Sequence, residues 1–124
     1  MSRWRQLLGA GGEQAAEEFL RRRRYTILAR NYRCPRGEVD LVALDGSVVA
    51  FVEVKTRRGG RFGTAFEAVD RRKREQIIRA AEHYVLRHRL HDRLIRFDVV
   101  AVSWKGGTPA CELIQSAFAA DASE

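Results

Sequence analysis

A chain of 124 residues, 45% apolar and 31% charged, holds one domain with a modest hydrophobic core. No stretch approaches the roughly 20 apolar residues of a membrane helix, and Cys34 and Cys111 lie too far apart for a zinc spacing. The formal charge of +7 favours a polyanionic partner, nucleic acid or an acidic membrane surface, although solubility alone accounts for it equally well.

Two free thiols and a first segment without a signal-like apolar run lead to the expectation of a cytoplasmic protein that does not engage membranes. Residues 1–12 read as a basic, glycine-ended lead-in. From Glu13 to Arg24 the residues Ala16, Phe19 and Leu20 recur at helical spacing beneath an arginine-rich face, which predicts a helix. β-Branched and aromatic residues from Tyr25 to Tyr32 predict a strand, which Cys34-Pro35-Arg36-Gly37 breaks. Two apolar runs follow, Glu38 to Leu44 and Val48 to Lys55, and Asp45-Gly46-Ser47 between them signals a hairpin. Thr56 to Phe66 is a loop of glycine and arginine. Asp70 is placed to cap a helix from Arg71 to Leu90, whose buried stripe is Ile77, Ala81, Tyr84 and Val85. Strands from Ile95 to Trp104 and Ala110 to Gln115 meet at Lys105-Gly106-Gly107-Thr108, and residues 120–124 form a small polar tail expected to fray. The expected class is α/β: one domain, a mixed sheet flanked by helices in the order α-β-β-β-α-β-β.

The chemistry concentrates in the hairpin. Alternation puts Glu38 and Asp40 on one face of its first strand, and Glu53 and Lys55 on one face of its second. Those faces are otherwise apolar (Val42 and Leu44; Val49 and Phe51), so an unpaired carboxylate there is costly. A two- or four-residue turn brings Asp40 and Glu53 to one face, roughly 5–8 Å apart at Cβ, a spacing at which two carboxylates grip one hard cation. A three-residue turn without a bulge would separate them. Repulsion between the two raises one pKa until a cation relieves it. Lys55 then either orients an attacking water and holds a phosphate oxygen, or is a structural ion-pair partner of Asp40 or Glu53. Spacing alone leaves both open.

Asp40 followed by Glu53-Val54-Lys55, on a hairpin between two helices, resembles the PD-(D/E)xK nuclease superfamily, which includes type II restriction enzymes and archaeal Holliday-junction resolvases. More closely, the chain from Gly12 to Phe118 resembles the small bacterial YraN-like family. The matching stretches are Gly12-Glu13-x-x-Ala16, Asn31-Tyr32-Arg33, Gly37-Glu38-Val39-Asp40-Leu41-Val42-Ala43, Phe51-Val52-Glu53-Val54-Lys55-Thr56-Arg57, Arg96-Phe97-Asp98-Val99 and Ala117-Phe118. The resemblance implies a restriction-endonuclease-like fold and a Mg²⁺- or Mn²⁺-dependent endonuclease acting on DNA or RNA, structure-specific in the manner of the resolvases. It also makes a homodimer plausible, since resolvase-like enzymes cut two strands. By position it makes Asp40 and Glu53 metal ligands, the Val54 carbonyl a third, and Lys55 the catalytic lysine. The glutamate that joins the resolvase site from the first helix corresponds to Glu13, which flanks the Ala16–Leu20 stripe, whereas Glu17 and Glu18 are expected to point further out. The other reading of Glu13 is a favourable first-turn charge on the helix dipole. Val39 stands where the superfamily's name has proline. The alternative functions are a non-catalytic nucleic-acid-binding or accessory protein retaining the fold, and a protein–protein adaptor.

Around this centre, Lys73 and Gln76 lie one turn apart on the second helix, where they either reach a substrate phosphate or form a solvated face. Arg57, Arg58 and Arg61, with glycines among them, suit nucleic-acid backbone contact without base reading. Phe62 and Phe66 are read as core packing ahead of base stacking. Glu38 is a second carboxylate behind the ligand set or an arginine's partner. Asp98, between Phe97 and Val99, is read as a buried structural carboxylate paired with Arg96 or another arginine. His83, His88 and His91 lack the spacing of a metal-binding helix.

Overall fold

A computed structural model describes residues 3–57 and 69–120, with the side chains of 3–10 and of Arg57 left aside. Its elements are α1 (Arg3–Arg22), β1 (Thr26–Cys34), β2 (Gly37–Asp45), β3 (Val48–Arg57), α2 (Arg71–His88), β4 (Ile95–Lys105) and β5 (Thr108–Phe118). The order is the expected α-β-β-β-α-β-β. The strands form one mixed sheet, β1-β2-β3-β4-β5, antiparallel except for the β3–β4 pair. A parallel pair needs a long crossover, and α2 lies in it.

The ends of the elements differ from the expected ones for identifiable reasons. α1 begins at Arg3, so most of the basic lead-in is helical. It stops where Arg24 turns left-handed (φ 68°) and the Tyr25 N–H donates to the Leu20 carbonyl at 3.0 Å. The Asp70 carboxylate caps α2 by accepting from the Lys73 N–H at 2.9 Å, and left-handed Arg89 (φ 55°) closes the helix. β5 extends beyond the expected Ala110–Gln115 at both ends. Pro109 is no obstacle to that extension, because β5 is an edge strand with one side unpaired.

Each face of the sheet carries one helix. Ile77, Ala80, Ala81 and Tyr84 of α2 pack on Val42, Val49, Phe51, Phe97 and Val99. Ala16 and Leu20 of α1 pack on Leu41, Ala43, Ala50, Val52, Val100 and Val102. A sheet covered on both sides has near-continuous apolar central strands, as β3 and β4 do. No described helix is long and apolar enough to cross a membrane.

Asp98 is fully buried, as expected, and fully paired. It accepts from Arg96 Nε at 2.8 Å, from the Tyr25 hydroxyl at 3.3 Å and from the Ser116 N–H at 3.1 Å. Arg96 continues to Asp45 at 2.9 Å, so one guanidinium ties β4 to the β2–β3 turn. Both cysteines are free and half-buried.

Two glycines set how closely the helices approach the working end of the sheet. A Cβ on Gly37 would overlap the Gln76 carbonyl and stand 2.8 Å from the Ala80 nitrogen, so the bare backbone beginning β2 presses directly on α2. A Cβ on Gly12 would overlap the Thr56 hydroxyl, so α1 is held against the end of β3.

Candidate active site

The β2–β3 turn is the two-residue Gly46-Ser47, with Asp45 opposite Val48 and Gly46 left-handed (φ 62°). Pairing continues to Leu41 opposite Val52, which makes Asp40 and Glu53 the next facing residues. This is the arrangement expected of a two-residue turn. The backbone ladder stops there, and the Asp40 Oδ2 accepts from the Val54 N–H at 2.8 Å in place of a backbone carbonyl. A strand residue's N–H and C=O face the same neighbour, so the Val54 carbonyl also faces the Asp40 side. Val42 and Leu44 face α2 while Leu41 and Ala43 face α1, yet Val39 faces α2 as well. Strict alternation therefore fails around Asp40, which sits at the irregularity between the two faces.

Glu53 is the buried member, its side chain 8% exposed. Its Oε2 lies 3.4 Å from Lys73 Nζ, while its Oε1 is buried without a hydrogen-bond partner among the described residues. Burial first, then the charge and hydrogen-bonding proximity of Asp40, push its pKa up to about 8 against a weaker pull downward from Lys73. A Glu53 that keeps its proton has Asp40 as an acceptor. A Glu53 that gives it up leaves a bare oxygen beside a second carboxylate and requires a cation there.

Glu13 approaches Asp40 from α1. Its pKa is raised by burial and by Asp40, against a hydrogen bond from Asn31 and the charge of Arg33. Asp40 is thus the common neighbour of Glu53 and Glu13. Among the described residues, no three His, Cys, Asp or Glu side chains converge closely enough to hold a metal ion. The convergent donors are the pair Asp40 and Glu53, with Glu13 set back from them. That pair fits Mg²⁺, which keeps several waters and takes only one or two carboxylates, and the orphaned Oε1 is the atom it would satisfy.

The lysines divide differently from the sequence reading. Lys55 is exposed and enters no ion pair among the described residues, so it is not the structural partner of Asp40 or Glu53. That partner is Lys73, whose Nζ also lies 3.7 Å from Glu38 Oε1. Burial would lower the Lys73 pKa, but Glu53, Asp40 and Glu38 together raise it. Lys73 is therefore neither a purely solvated residue nor, in this arrangement, free for a phosphate. Glu38 is shared between Lys73 and Arg33, the latter at 3.5 Å. Gln76 faces the same hollow as Glu38 and Arg33.

Glu17 corrects a second expectation. It does not point outward: it is more buried than Glu13, where Arg30 of β1 and Arg21 hold it in ion pairs and lower its pKa, mainly through the Arg30 hydrogen bond. Glu18 is exposed, as expected. Asn31 is the neighbour that sequence reasoning missed. It adopts a left-handed backbone (φ 49°), which asparagine tolerates, and its side chain hydrogen-bonds Glu13. His83 bonds the Tyr32 hydroxyl. Arg58, Arg61, Phe62, Phe66 and the side chain of Arg57 lie outside the described residues.

The model of the Uncharacterised protein family UPF0102 matches residues 12–102, a span that contains Glu13, Glu38, Asp40, Glu53, Lys55 and Lys73. A UPF0102 protein of Geobacter metallireducens is 44% identical over 118 residues, covering 95% of this chain and 97% of that one. One of Symbiobacterium thermophilum is 50% identical over 112 residues, covering 90% and 95%. One of Methylococcus capsulatus is 41% identical over 116 residues, covering 94% of each.

Proposed function

The chain belongs to the UPF0102 family, and from that premise we propose that it is a divalent-metal-dependent endonuclease of the PD-(D/E)xK kind, hydrolysing phosphodiester bonds in DNA or RNA. One observation carries the reading: a buried glutamate, Glu53, faces Asp40 across a broken ladder with one oxygen left without a partner among the described residues. Folding rarely tolerates such an atom without a reason, and a cation is the reason that fits two carboxylates. Asp40 and Glu53 would hold Mg²⁺ or Mn²⁺, with the Val54 carbonyl and Glu13 next to them. The ion would supply polarisation of a phosphate and a water of lowered pKa. Lys55, exposed on the same strand two residues on, is the ammonium available to align that water and steady the developing charge. The net charge of +7 supplies affinity that falls with salt. The two free thiols fit a reducing cytoplasm.

The test is cleavage of single-stranded, duplex and branched DNA and of structured RNA, with and without Mg²⁺ or Mn²⁺. Wild type would be compared with Glu53→Ala and Lys55→Ala. Metal-dependent cutting by wild type, lost in both variants, is the expected result; equal inertness of all three on every substrate counts against it. A second reading is a nucleic-acid-binding accessory protein. It draws on the Lys73–Glu53 contact at 3.4 Å, since an ammonium already at the carboxylate makes the cluster partly self-neutralised. It expects binding that survives Glu53→Ala.

A further inference from the structure

Two hollows flank the β1–β2 turn. One, of about 400 Å³, includes Arg33, Arg36, Glu38 and Gln76 in its lining. The other, of about 490 Å³, includes Arg36, Arg79, Glu82 and His83. The ridge between them is the two-residue turn Pro35-Arg36, closed by Cys34 opposite Gly37. This ridge is stiff. Pro35 presets its own φ, and Gly37 sits with its bare Cα against the Gln76–Ala80 backbone of α2. Arg36 and Arg79 are therefore held on firm backbone on either side of one crevice. Both are exposed, and neither enters an ion pair among the described residues.

The first hollow also adjoins the carboxylate cluster. Glu38, in its lining, lies 3.7 Å from Lys73 Nζ, which in turn lies 3.4 Å from Glu53. Glu38 is neutralised by Arg33 and Lys73, which leaves Glu82 as the acid of the second hollow. We infer that the path from the carboxylate cluster past Arg36 to Arg79 is a track for the phosphodiester backbone of a nucleic acid leaving the carboxylate site. The inference rests on the nucleic-acid reading of that site and does not require that the site cut. Guanidinium groups on rigid backbone suit paired contacts to phosphate oxygens. Such contacts position a strand without reading its bases.

The test is fluorescence anisotropy of labelled single-stranded DNA, hairpin DNA and hairpin RNA in EDTA, across a salt series. Arg36→Ala/Arg79→Ala would be compared with Arg23→Ala/Arg93→Ala, which removes the same charge from exposed positions just before β1 and β4, at the other end of the sheet from the turn. The first double variant should bind roughly tenfold or more weakly at low salt, with a log–log salt slope shallower by about 2, one for each arginine that no longer meets a phosphate. The second should keep the wild-type slope. Equal weakening by both double variants, no weakening by the first, or a wild type that does not bind would overturn the track. Track-dependent binding without metal-dependent cleavage would instead leave the track standing and remove the nuclease.

Discussion

Glu53→Gln keeps the shape of the buried side chain and removes its titration. Folding moves the Glu53 pKa from its ordinary 4.5 up to about 8, by burial first and by Asp40 second. Between these values the folded chain holds a proton that the unfolded chain has released. Stability therefore falls as pH rises: the contribution is fully present below pH 4.5 and is lost on passing through about 8. At about 1.4 kcal/mol per pKa unit the whole loss is about 5 kcal/mol. That is a large part of the ~5–15 kcal/mol by which a domain is stable. Glutamine has no such dependence. It does deprive Lys73 of a partner, which costs about 1 kcal/mol for a side chain about a third exposed. Urea unfolding at several pH values across this window, extrapolated linearly to water, is the assay. Wild type should lose stability with rising pH while the variant loses much less, so that the two diverge toward pH 8 with the glutamine protein the more stable. Glu13, whose pKa is raised in the same direction, contributes a slope to both proteins that largely cancels in the difference. Added Mg²⁺ should flatten the wild-type curve alone, because the cation takes the place of the proton. Curves that run parallel within about 1 kcal/mol, unmoved by Mg²⁺, would refute the account of a desolvated, Asp40-opposed carboxylate.

Asp98→Ala should destabilise by about 3–5 kcal/mol, read as a lower urea midpoint, because it leaves Arg96 without its closest partner in a nearly closed network. Gly37→Ala should cost about 1–3 kcal/mol or more in thermal unfolding, because the methyl group meets helix backbone at Gln76 and Ala80. Gly12→Ala should cost less than Gly37→Ala in the same melts, since its obstacle is the Thr56 side chain, which can turn away. Lys55→Ala should leave stability within about 0.5 kcal/mol, as befits an exposed residue that enters no ion pair among the described residues. In the cleavage assay the same variant should lose about 100-fold or more in rate.

Where local chemistry alone decides structure, it could be read in advance. Asp45-Gly46-Ser47 announced a hairpin, and a two-residue turn admits one register, which put Asp40 and Glu53 face to face. Asp70 had the geometry of a cap, and Asp98 among apolar neighbours could only be buried and paired. What escaped depends on elements distant in sequence. The helical wheel ranked Glu17 as pointing outward because a wheel knows nothing of Arg30, which α1 meets only when it lies across β1. The alternation rule placed Glu38 and Asp40 together, but it cannot say where a ladder ends. The break just past Leu41 and Val52 turns Asp40 from a face residue into the acceptor for Val54. The last strand was expected from Ala110, whereas β5 starts at Thr108 and includes Pro109, which its edge position admits.

The exchange of lysines matters most for mechanism. Sequence spacing offers Lys55 to Glu53, since the two share a strand face, but a long side chain from the first turn of α2 reaches the carboxylate instead. On the proposed reading this leaves the cluster with a definite charge. Asp40, Glu53, Glu38 and Glu13 carry four negative charges when ionised, and Lys73 and Arg33 return two. A proton on Glu53 cancels one of the two that remain, consistent with a pKa near 8 at this position. A divalent cation in place of that proton cancels both and keeps open positions for water or a phosphodiester oxygen. A proton or a cation therefore answers the same excess of charge. Metal and substrate should accordingly bind with mutual support in this pocket, each weakening the other's competition with protons.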